Sequence, residues 1–167
     1  DNITGGIFNL FFMSPQEMKE ELNIKKEEID IIENLKVVNQ LIYKNNIIPK
    51  HIKYIFGIEG LDYLERIEDI DKIHNSGVRT VNIVWNNDNK FGGGAKGNKK
   101  RGLTSLGEEL VKKLVDKKIV IDLSHANEKT FYDIINLCNE LKRKGKNPIV
   151  LASHSNVKSL CNVPRNL

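Results

Sequence analysis

The chain has 167 residues, of which 40% are hydrophobic and 29% charged, and this is typical of a soluble globular protein with one domain, residues 1–167. The net charge of +4 does not indicate a nucleic-acid partner, because the lysines lie among glutamates and form no contiguous basic face with interleaved aromatic residues. No apolar run approaches the roughly 20 residues that cross a bilayer, which excludes a membrane-spanning segment in this sequence.

Five strand-like runs rich in β-branched residues alternate with segments of helical periodicity. The strand-like runs are residues 6–13, 52–58, 78–84, 118–125 and 148–153. A continuous apolar run such as Ile119–Leu123 is typical of a strand buried on both faces, as in a parallel sheet.

Two helical regions are predicted in the first half of the chain. The first ends at Pro49, and its apolar residues share one face: Ile31, Leu35, Val38 and Ile42. The second runs from about residue 61 to residue 75 and is terminated by Gly77. Its buried face is predicted to consist of Leu64, Ile67, Ile70 and Ile73.

Three further helices are predicted in the second half. The first begins near Thr104 or Ser105, because Ser105 and Glu108 have the spacing of a capping box. Its apolar face is Leu106, Leu110 and Leu114. The next helix is predicted to be capped by Asn127. Its buried face is predicted to consist of Phe131, Ile134, Cys138 and Leu141. A last helix is expected to begin within residues 157–161. Between the third strand and these helices lies a glycine-rich loop, residues 85–102, which we interpret as a mobile lid.

Strands alternating with helices predict an α/β fold with a parallel sheet, for which a doubly wound sheet and a (β/α)8 TIM-type barrel compete. The glycine fingerprint of a dinucleotide-binding sheet does not follow the first strand. Three strands instead end in Glu59, His125 and His154, and barrel enzymes assemble their active sites from such strand ends. The sequence therefore favours the barrel, in an incomplete form with about five strands.

Two imidazoles and a carboxylate at neighbouring strand ends are ligands that zinc prefers. A single histidine at a strand end is more often a structural residue, but the repeated Ser-His after an apolar run, together with Glu59, shifts the balance to a metal site. Ser124 and Ser153 are expected to satisfy backbone groups. For Asp122 two interpretations stay open, a carboxylate that orients a metal ligand and a structural aspartate.

Six ordered motifs together resemble those of the membrane (renal) dipeptidase family of zinc peptidases. The motifs are Gly57-Ile-Glu-Gly60, Gly77-Val-Arg79, Gly102-Leu-Thr-Ser-Leu-Gly107, Asp122-Leu-Ser-His125, Ser153-His-Ser155 and Pro164-Arg-Asn166. The resemblance implies a (β/α)8 barrel and hydrolysis of dipeptides by a metal-bridging hydroxide. It also implies two zinc ions in a complete site, with Glu59 as the bridging, catalytic ligand and His125 and His154 on one ion.

The same resemblance implies that Arg165, followed by Asn166, binds the carboxylate of the dipeptide. Trp85 stands where well-known members have a substrate-contacting histidine, so it is a candidate substrate contact or a packing residue. The family's first-strand His-x-Asp and its late aspartate are not found in this sequence, which predicts one zinc ion or fewer in this chain.

Two functions therefore stay open for the chain. The first is a zinc dipeptidase that acts on a dipeptide substrate. The second is an inactive fragment that binds at most one metal ion or associates with another chain through its open sheet edges. A homodimer is left open as a partner arrangement. The two cysteines form no disulfide framework, so we expect a reducing, cytoplasmic location.

Overall fold

The structure is a computed structural model that describes residues 5–11, 35 and 53–166. Its strands are β1 (Gly5–Phe11), β2 (Lys53–Glu59), β3 (Val78–Asn82), β4 (Val120–Asp122) and β5 (Val150–Leu151). Its helices are α1 (Ile70–Asn75), α2 (Ser105–Asp116) and α3 (Glu128–Arg143), and a short 3-10 turn, Ile67–Asp69, precedes α1. Within these ranges no helix combines the length and apolar character needed to cross a bilayer.

The five described strands form one parallel sheet in the order β1-β2-β3-β4-β5. Each strand therefore pairs with the next strand in the chain, and the order does not reverse anywhere in the described part. A doubly wound sheet reverses its strand order at a switch point, whereas a (β/α) barrel adds strands in sequence. The predicted fold class, an incomplete barrel of about five parallel strands, is confirmed.

One face of the sheet is covered by helices. Side chains alternate between the two faces of a strand, so Phe56 and Ile58 point to the same side, and both are buried. They belong to a single apolar core together with residues of all three helices, including Ile73, Leu114 and Ile134. The apolar core therefore extends between this face of the sheet and the helices.

The other face, which we call the open face, carries Ile55, Gly57 and Glu59 of β2. Ile7 pairs with Ile55 in register, and the two side chains are 38% and 41% exposed. At Gly57 the neighbouring strands approach closely, since a Cβ atom added there would lie 2.6 Å from Thr80 Cγ2 and closer still to the amide of Asn9. The open face thus has an apolar end near Ile55 and a polar end near Glu59.

The starts of α2 and α3 are set by side-chain caps. Asn127 caps α3, as predicted, because its side-chain oxygen accepts a hydrogen bond from Thr130 N at 2.8 Å. For α2 the predicted start near Thr104 or Ser105 is confirmed, but the capping box suggested by Ser105 and Glu108 is wrong. Thr104 is the cap, and its hydroxyl accepts from Gly107 N at 3.0 Å. Leu106 was predicted on the buried face of this helix but is 39% exposed. It lies in the first turn, before the buried stripe, which begins at Gly107.

Two helix predictions are corrected by the structure. The helix predicted from residue 61 begins only at Ile70; residues 61–66 form a turn and extended chain, although Leu61 and Leu64 are fully buried. In residues 61–66 the spacing of the apolar residues indicated which side chains are buried, but it did not indicate the backbone conformation. Residues 157–161 form turns and not a helix. The long helical region predicted before Pro49 lies outside the described residues except for Leu35, which is helical and buried.

Candidate metal centre

Glu59 is the last residue of β2 and lies at the carboxyl edge of the sheet. Gly60 follows it with a φ of +87°, a left-handed conformation that lets the chain turn away directly after the carboxylate. In register, Glu59 pairs with Asn82, and Asn82 pairs with Asp122, so three polar residues form a row across the strand ends. The side chain of Glu59 is 18% exposed.

His125 follows β4 and is the more buried of the two histidines, with 7% of its side chain exposed. Its φ of +75° is uncommon for a residue other than glycine and marks a backbone that the surroundings hold in place. Those surroundings include Asn82, whose amide donates to Ser124 O at 2.9 Å, and Ala95, whose N–H donates to His125 O at 2.8 Å. The imidazole is thereby directed toward Glu59.

His154 follows β5, and its side chain is 39% exposed. Its Nε2 lies 2.9 Å from Glu59 Oε1 and 3.0 Å from His125 Nε2, and His125 Nε2 itself contacts Glu59 Oε1. Glu59, His125 and His154 are a group of potential ligands whose donor atoms all lie within 4.8 Å of one another. The three strand-end residues singled out in the sequence therefore meet at one point.

The distal ring nitrogens show how the two imidazoles are oriented. His125 Nδ1 lies 3.2 Å from the side-chain oxygen of Asn86, and His154 Nδ1 lies 2.6 Å from Ser153 Oγ. When Nδ1 of a neutral imidazole donates a proton, Nε2 keeps its lone pair. Both rings can thus direct an Nε2 lone pair toward Glu59. Sequence reasoning missed Asn86, which no local pattern connects with His125.

The electrostatics of the centre favour a cation. The neighbouring His125 lowers the pKa of Glu59 below its ordinary value, burial opposes the shift, and His154 adds to the lowering. An ionised carboxylate and two lone pairs within about 3 Å repel one another unless positive charge lies between them. The charge, the ligand types and the convergence of the donor atoms all suit a divalent ion such as zinc.

The three ligand atoms lie closer together than they would around an ion, so binding requires them to move apart. Ligand atoms at 2.0–2.2 Å from a tetrahedral zinc ion lie about 3.3–3.6 Å apart. The distances from His154 Nε2 to its two neighbours, 2.9 and 3.0 Å, are roughly half an ångström shorter than this. His154 is the exposed ligand, so its ring can move outward by that amount, and Glu59 would also have to separate from His125, because their contact is closer still.

Comparison with known proteins places the chain in a family. The family model described as "Membrane dipeptidase (Peptidase family M19)" matches residues 1–167. The chain belongs to the membrane dipeptidase family. An uncharacterized protein in the PQQ-III 3'region of Acinetobacter calcoaceticus is 34% identical over 125 residues, which are 71% of this chain and 37% of that protein.

Two solved structures share the fold of this membrane dipeptidase family member. An amidohydrolase from Pseudomonas aeruginosa superposes with a TM-score of 0.72 and 21% identity over 98% of this chain and 49% of that one. A metallo peptidase from Rhodobacter sphaeroides, liganded with a phosphinate mimic of the dipeptide L-Ala-D-Ala, superposes with a TM-score of 0.70 and 22% identity over 98% and 56% of the two chains. The chain thus spans about half the length of these two proteins and 37% of the length of the Acinetobacter calcoaceticus relative.

Arg165 reaches the centre from the segment after β5. Its Nη2 donates to His125 Nε2 at 2.8 Å, and its Nη1 donates to Ser155 Oγ at 3.2 Å. Burial lowers the pKa of Arg165, while the charges of Glu59 and Asp122 oppose that shift. The guanidinium is therefore within reach of a ligand bound at the centre, in agreement with the carboxylate-binding role that the family resemblance implies. That role stays a prediction.

The other two predicted substrate contacts differ in their surroundings. The Trp85 ring lies beside the His125 ring, with centroids 5.9 Å apart. Asn166 is buried, and both ends of its amide hold the segment before it: Nδ2 donates to Cys161 O at 2.8 Å and Oδ1 accepts from Asn156 N at 3.3 Å. Trp85 is therefore placed to touch a substrate, whereas the bonds of Asn166 favour a bracing role. Substrate binding by either residue stays a prediction.

The glycine-rich loop is held by side-chain to backbone bonds at several points. Asp88 accepts from Gly94 N at 3.1 Å and from Asn98 N at 3.0 Å. The amide of Asn127, the cap of α3, donates to the carbonyls of Asn98 and Arg101 at 2.9 and 2.8 Å. So dense a network favours a fixed wall beside His125 over the mobile lid that the sequence suggested.

Proposed function

We propose that this chain supplies one metal site of a metal-dependent dipeptidase, together with the group that recognises the carboxylate of the dipeptide. The observation that carries the proposal is the meeting of Glu59 with His125 and His154 at the carboxyl edge of a parallel sheet. Membership of the membrane dipeptidase family and the barrel-type strand order support the same reaction class. Barrel enzymes hold their active sites at this edge.

In this proposal Glu59 and the two histidines hold one zinc ion. When bound, the ion supplies a water of lowered pKa and a Lewis acid for the peptide carbonyl. The carboxylate of Glu59 has a second oxygen, which suits the bridging role that the family resemblance implies. Ligands for a second ion would come from outside the described residues, because the described residues contain one cluster of three potential ligands.

Arg165 and Trp85 would position the dipeptide. A planar guanidinium binds a carboxylate through two parallel hydrogen bonds, a geometry that lysine cannot reproduce. From its place beside His125, Arg165 would bind the free carboxylate of the substrate and so orient the scissile carbonyl toward the metal ion. Trp85, whose ring lies beside that of His125, would pack against the substrate.

A second candidate function has its own observation. The chain spans about half the length of the two solved relatives, and its open face exposes Ile7 and Ile55. A chain of this kind would hold one ion without turnover until further strands cover that face. Activity would then require the remaining part of a barrel.

Metal content and hydrolysis separate the two candidates. The 167-residue chain is loaded with zinc, dialysed and measured for bound metal, and then assayed with L-Ala-L-Ala and L-Ala-D-Ala. Turnover by the chain alone supports an autonomous dipeptidase and rules out the fragment. One tightly bound ion without turnover supports the fragment. Absence of tight zinc binding contradicts the proposed metal site.

Replacing His125 by alanine tests the ligand assignment. We expect zinc affinity to fall by more than about 100-fold, since loss of a ligand should exceed the 10–100-fold that follows loss of an outer hydrogen-bond partner. Competition with a chromophoric chelator measures the affinity. His74→Ala is the matched control, because this half-buried histidine lies in the last turn of α1 and is not part of the ligand cluster. Equal zinc affinities of the two variants would refute the assignment.

A further inference from the structure

Asp122 is a buried carboxylate that connects the two histidine-bearing strand ends. It is 2% exposed, and its Oδ1 accepts from Ser124 N at 3.0 Å and from Ser153 N at 3.1 Å. Its Oδ2 contacts Ser153 Oγ. The link is reinforced from the other direction, since His154 N donates to Ser124 Oγ at 3.1 Å. One side chain thus ties the turn after β4 to the turn after β5.

The direction of the hydrogen bonds follows from the groups involved. An ionised carboxylate only accepts, so the hydroxyl hydrogen of Ser153 is donated to Asp122. Ser153 Oγ can then only accept from His154 Nδ1, at 2.6 Å. This makes Nδ1 the protonated nitrogen of His154 and leaves the lone pair on Nε2, the atom that faces Glu59 and His125.

We propose that Asp122 and Ser153 are positioning residues that hold His154 in its metal-binding tautomer through a carboxylate-hydroxyl-imidazole relay. The inference rests on the proposed function in that it concerns the same metal site. It assigns the repeated Ser-His motif two different roles. Ser153 orients the ring of its own neighbour, whereas Ser124 binds the backbone of His154 and leaves the ring of His125 to Asn86.

The relay matters more for His154 than a similar contact would for His125. His125 is buried and is held by its backbone and by Asn86. The His154 side chain is 39% exposed, so its surroundings constrain the ring less. Partners on the far nitrogen of a metal-binding histidine fix its tautomer and ring orientation, and losing one typically lowers metal affinity about 10–100-fold.

Replacing Asp122 by asparagine would reverse the relay while keeping most of its bonds. The amide oxygen can still accept from Ser124 N and Ser153 N, but the NH2 group now donates to Ser153 Oγ. The Ser153 hydroxyl hydrogen is then released from Asp122 and can be donated to His154 Nδ1, which favours a ring proton on Nε2 and removes the lone pair there. An Asp to Asn change disables the histidine of a serine-protease triad in the same manner.

The tautomer is read from ¹⁵N spectra of the metal-free chain, labelled at histidine, in alkaline buffer where imidazoles are neutral. We expect His154 to be protonated at Nδ1 in the unmodified chain and at Nε2 in Asp122→Asn. An Nε2–H tautomer in the unmodified chain, or an Nδ1–H tautomer in the variant, would overturn the inference. This readout does not depend on metal binding, so a chain that binds no zinc would contradict the proposed function alone.

The zinc affinities of two variants of Ser153 provide a second readout. This readout still tests the relay if Asp122→Asn fails to fold. We expect Ser153→Ala to bind zinc about 10–100-fold more weakly and Ser153→Thr, which keeps the hydroxyl, to restore the affinity. Asp133→Asn is the control, because Asp133 also accepts a backbone N–H, from Leu103, but lies on α3 away from the imidazoles. Ser153→Ala binding as tightly as the control would reject the relay.

Discussion

The two faces of the sheet are built from the same kind of strand but have different surroundings. On β2, Ile58 points to the helix-covered face and is fully buried, whereas Ile55, three residues earlier, points to the open face and is 41% exposed. Both residues are isoleucines of the same strand, so the difference in exposure comes from the face on which each side chain lies. This difference shows that the helix layer completes one side of the fold, while the open face keeps apolar surface of the kind that further strands of a barrel cover.

The strongest test of this contrast is the pair Ile58→Ala and Ile55→Ala. Ile58 belongs to the core cluster, so its truncation should lower the free energy of unfolding by about 2–5 kcal/mol. The same truncation at Ile55 should lower it by less than about 1 kcal/mol, because much of that side chain is already in water. Urea unfolding followed by circular dichroism measures both. Equal losses would show that the open face is covered in solution.

A smaller effect is expected where the open face is tightly packed. Gly57→Ala would place a methyl group 2.6 Å from Thr80 Cγ2 and against the amide of Asn9. Overpacking of this kind costs roughly 1–3 kcal/mol, so the variant should unfold at lower urea concentration. The polar row next to Glu59 would be displaced with it. An unchanged unfolding midpoint would show that β1 and β3 can move apart at this level.

The apolar end of the open face should affect surface properties more than stability. The double variant Ile7→Ser with Ile55→Ser removes the two exposed isoleucines that pair across β1 and β2. We expect lower binding of the dye ANS and less association of the chain, with a change in the free energy of unfolding of about 1 kcal/mol or less. Leu106→Ser, at an exposed leucine on α2, is the matched control. An equal loss of ANS binding in Leu106→Ser would show that the open face binds the dye no better than an exposed leucine elsewhere on the surface.

The smallest effect is expected from the polar links within the helix layer. Asp71 on α1 accepts from Lys113 on α2 at 2.8 Å, and hydrogen bonds from Lys113 and Lys117 lower the pKa of Asp71. Because its pKa is lower in the folded state, ionised Asp71 stabilises the fold at pH values above its unfolded-state pKa of about 3.9. This stabilisation is lost as the pH falls through the folded-state pKa. Asp71→Asn should therefore be slightly less stable at neutral pH, and the difference should vanish in acid. A difference that persists at low pH would exclude this ion-pair origin.

The sequence predicts the strands well because their signal is local. The apolar run Ile119–Leu123 indicates a strand buried on both faces, and the order of strands in a barrel follows the order of the chain. Helix starts also have a local signal: the cap at Asn127 and the start near Thr104 or Ser105 are confirmed, although the Ser105–Glu108 spacing pointed to the wrong one of the two as the cap. Apolar spacing failed at residues 61–66, where burial occurs without a helix.

The sequence by itself determined which residues stand at or just after the strand ends, namely Glu59, His125 and His154, because the apolar run of each strand stops there. Only the tertiary structure decided which partners orient them. Asn86 and Asp122 act on rings that belong to other segments, Asn86 on His125 and Asp122, through Ser153, on His154. A hydrogen bond depends on distances of a few tenths of an ångström between segments far apart in the chain, and residue order does not encode such distances.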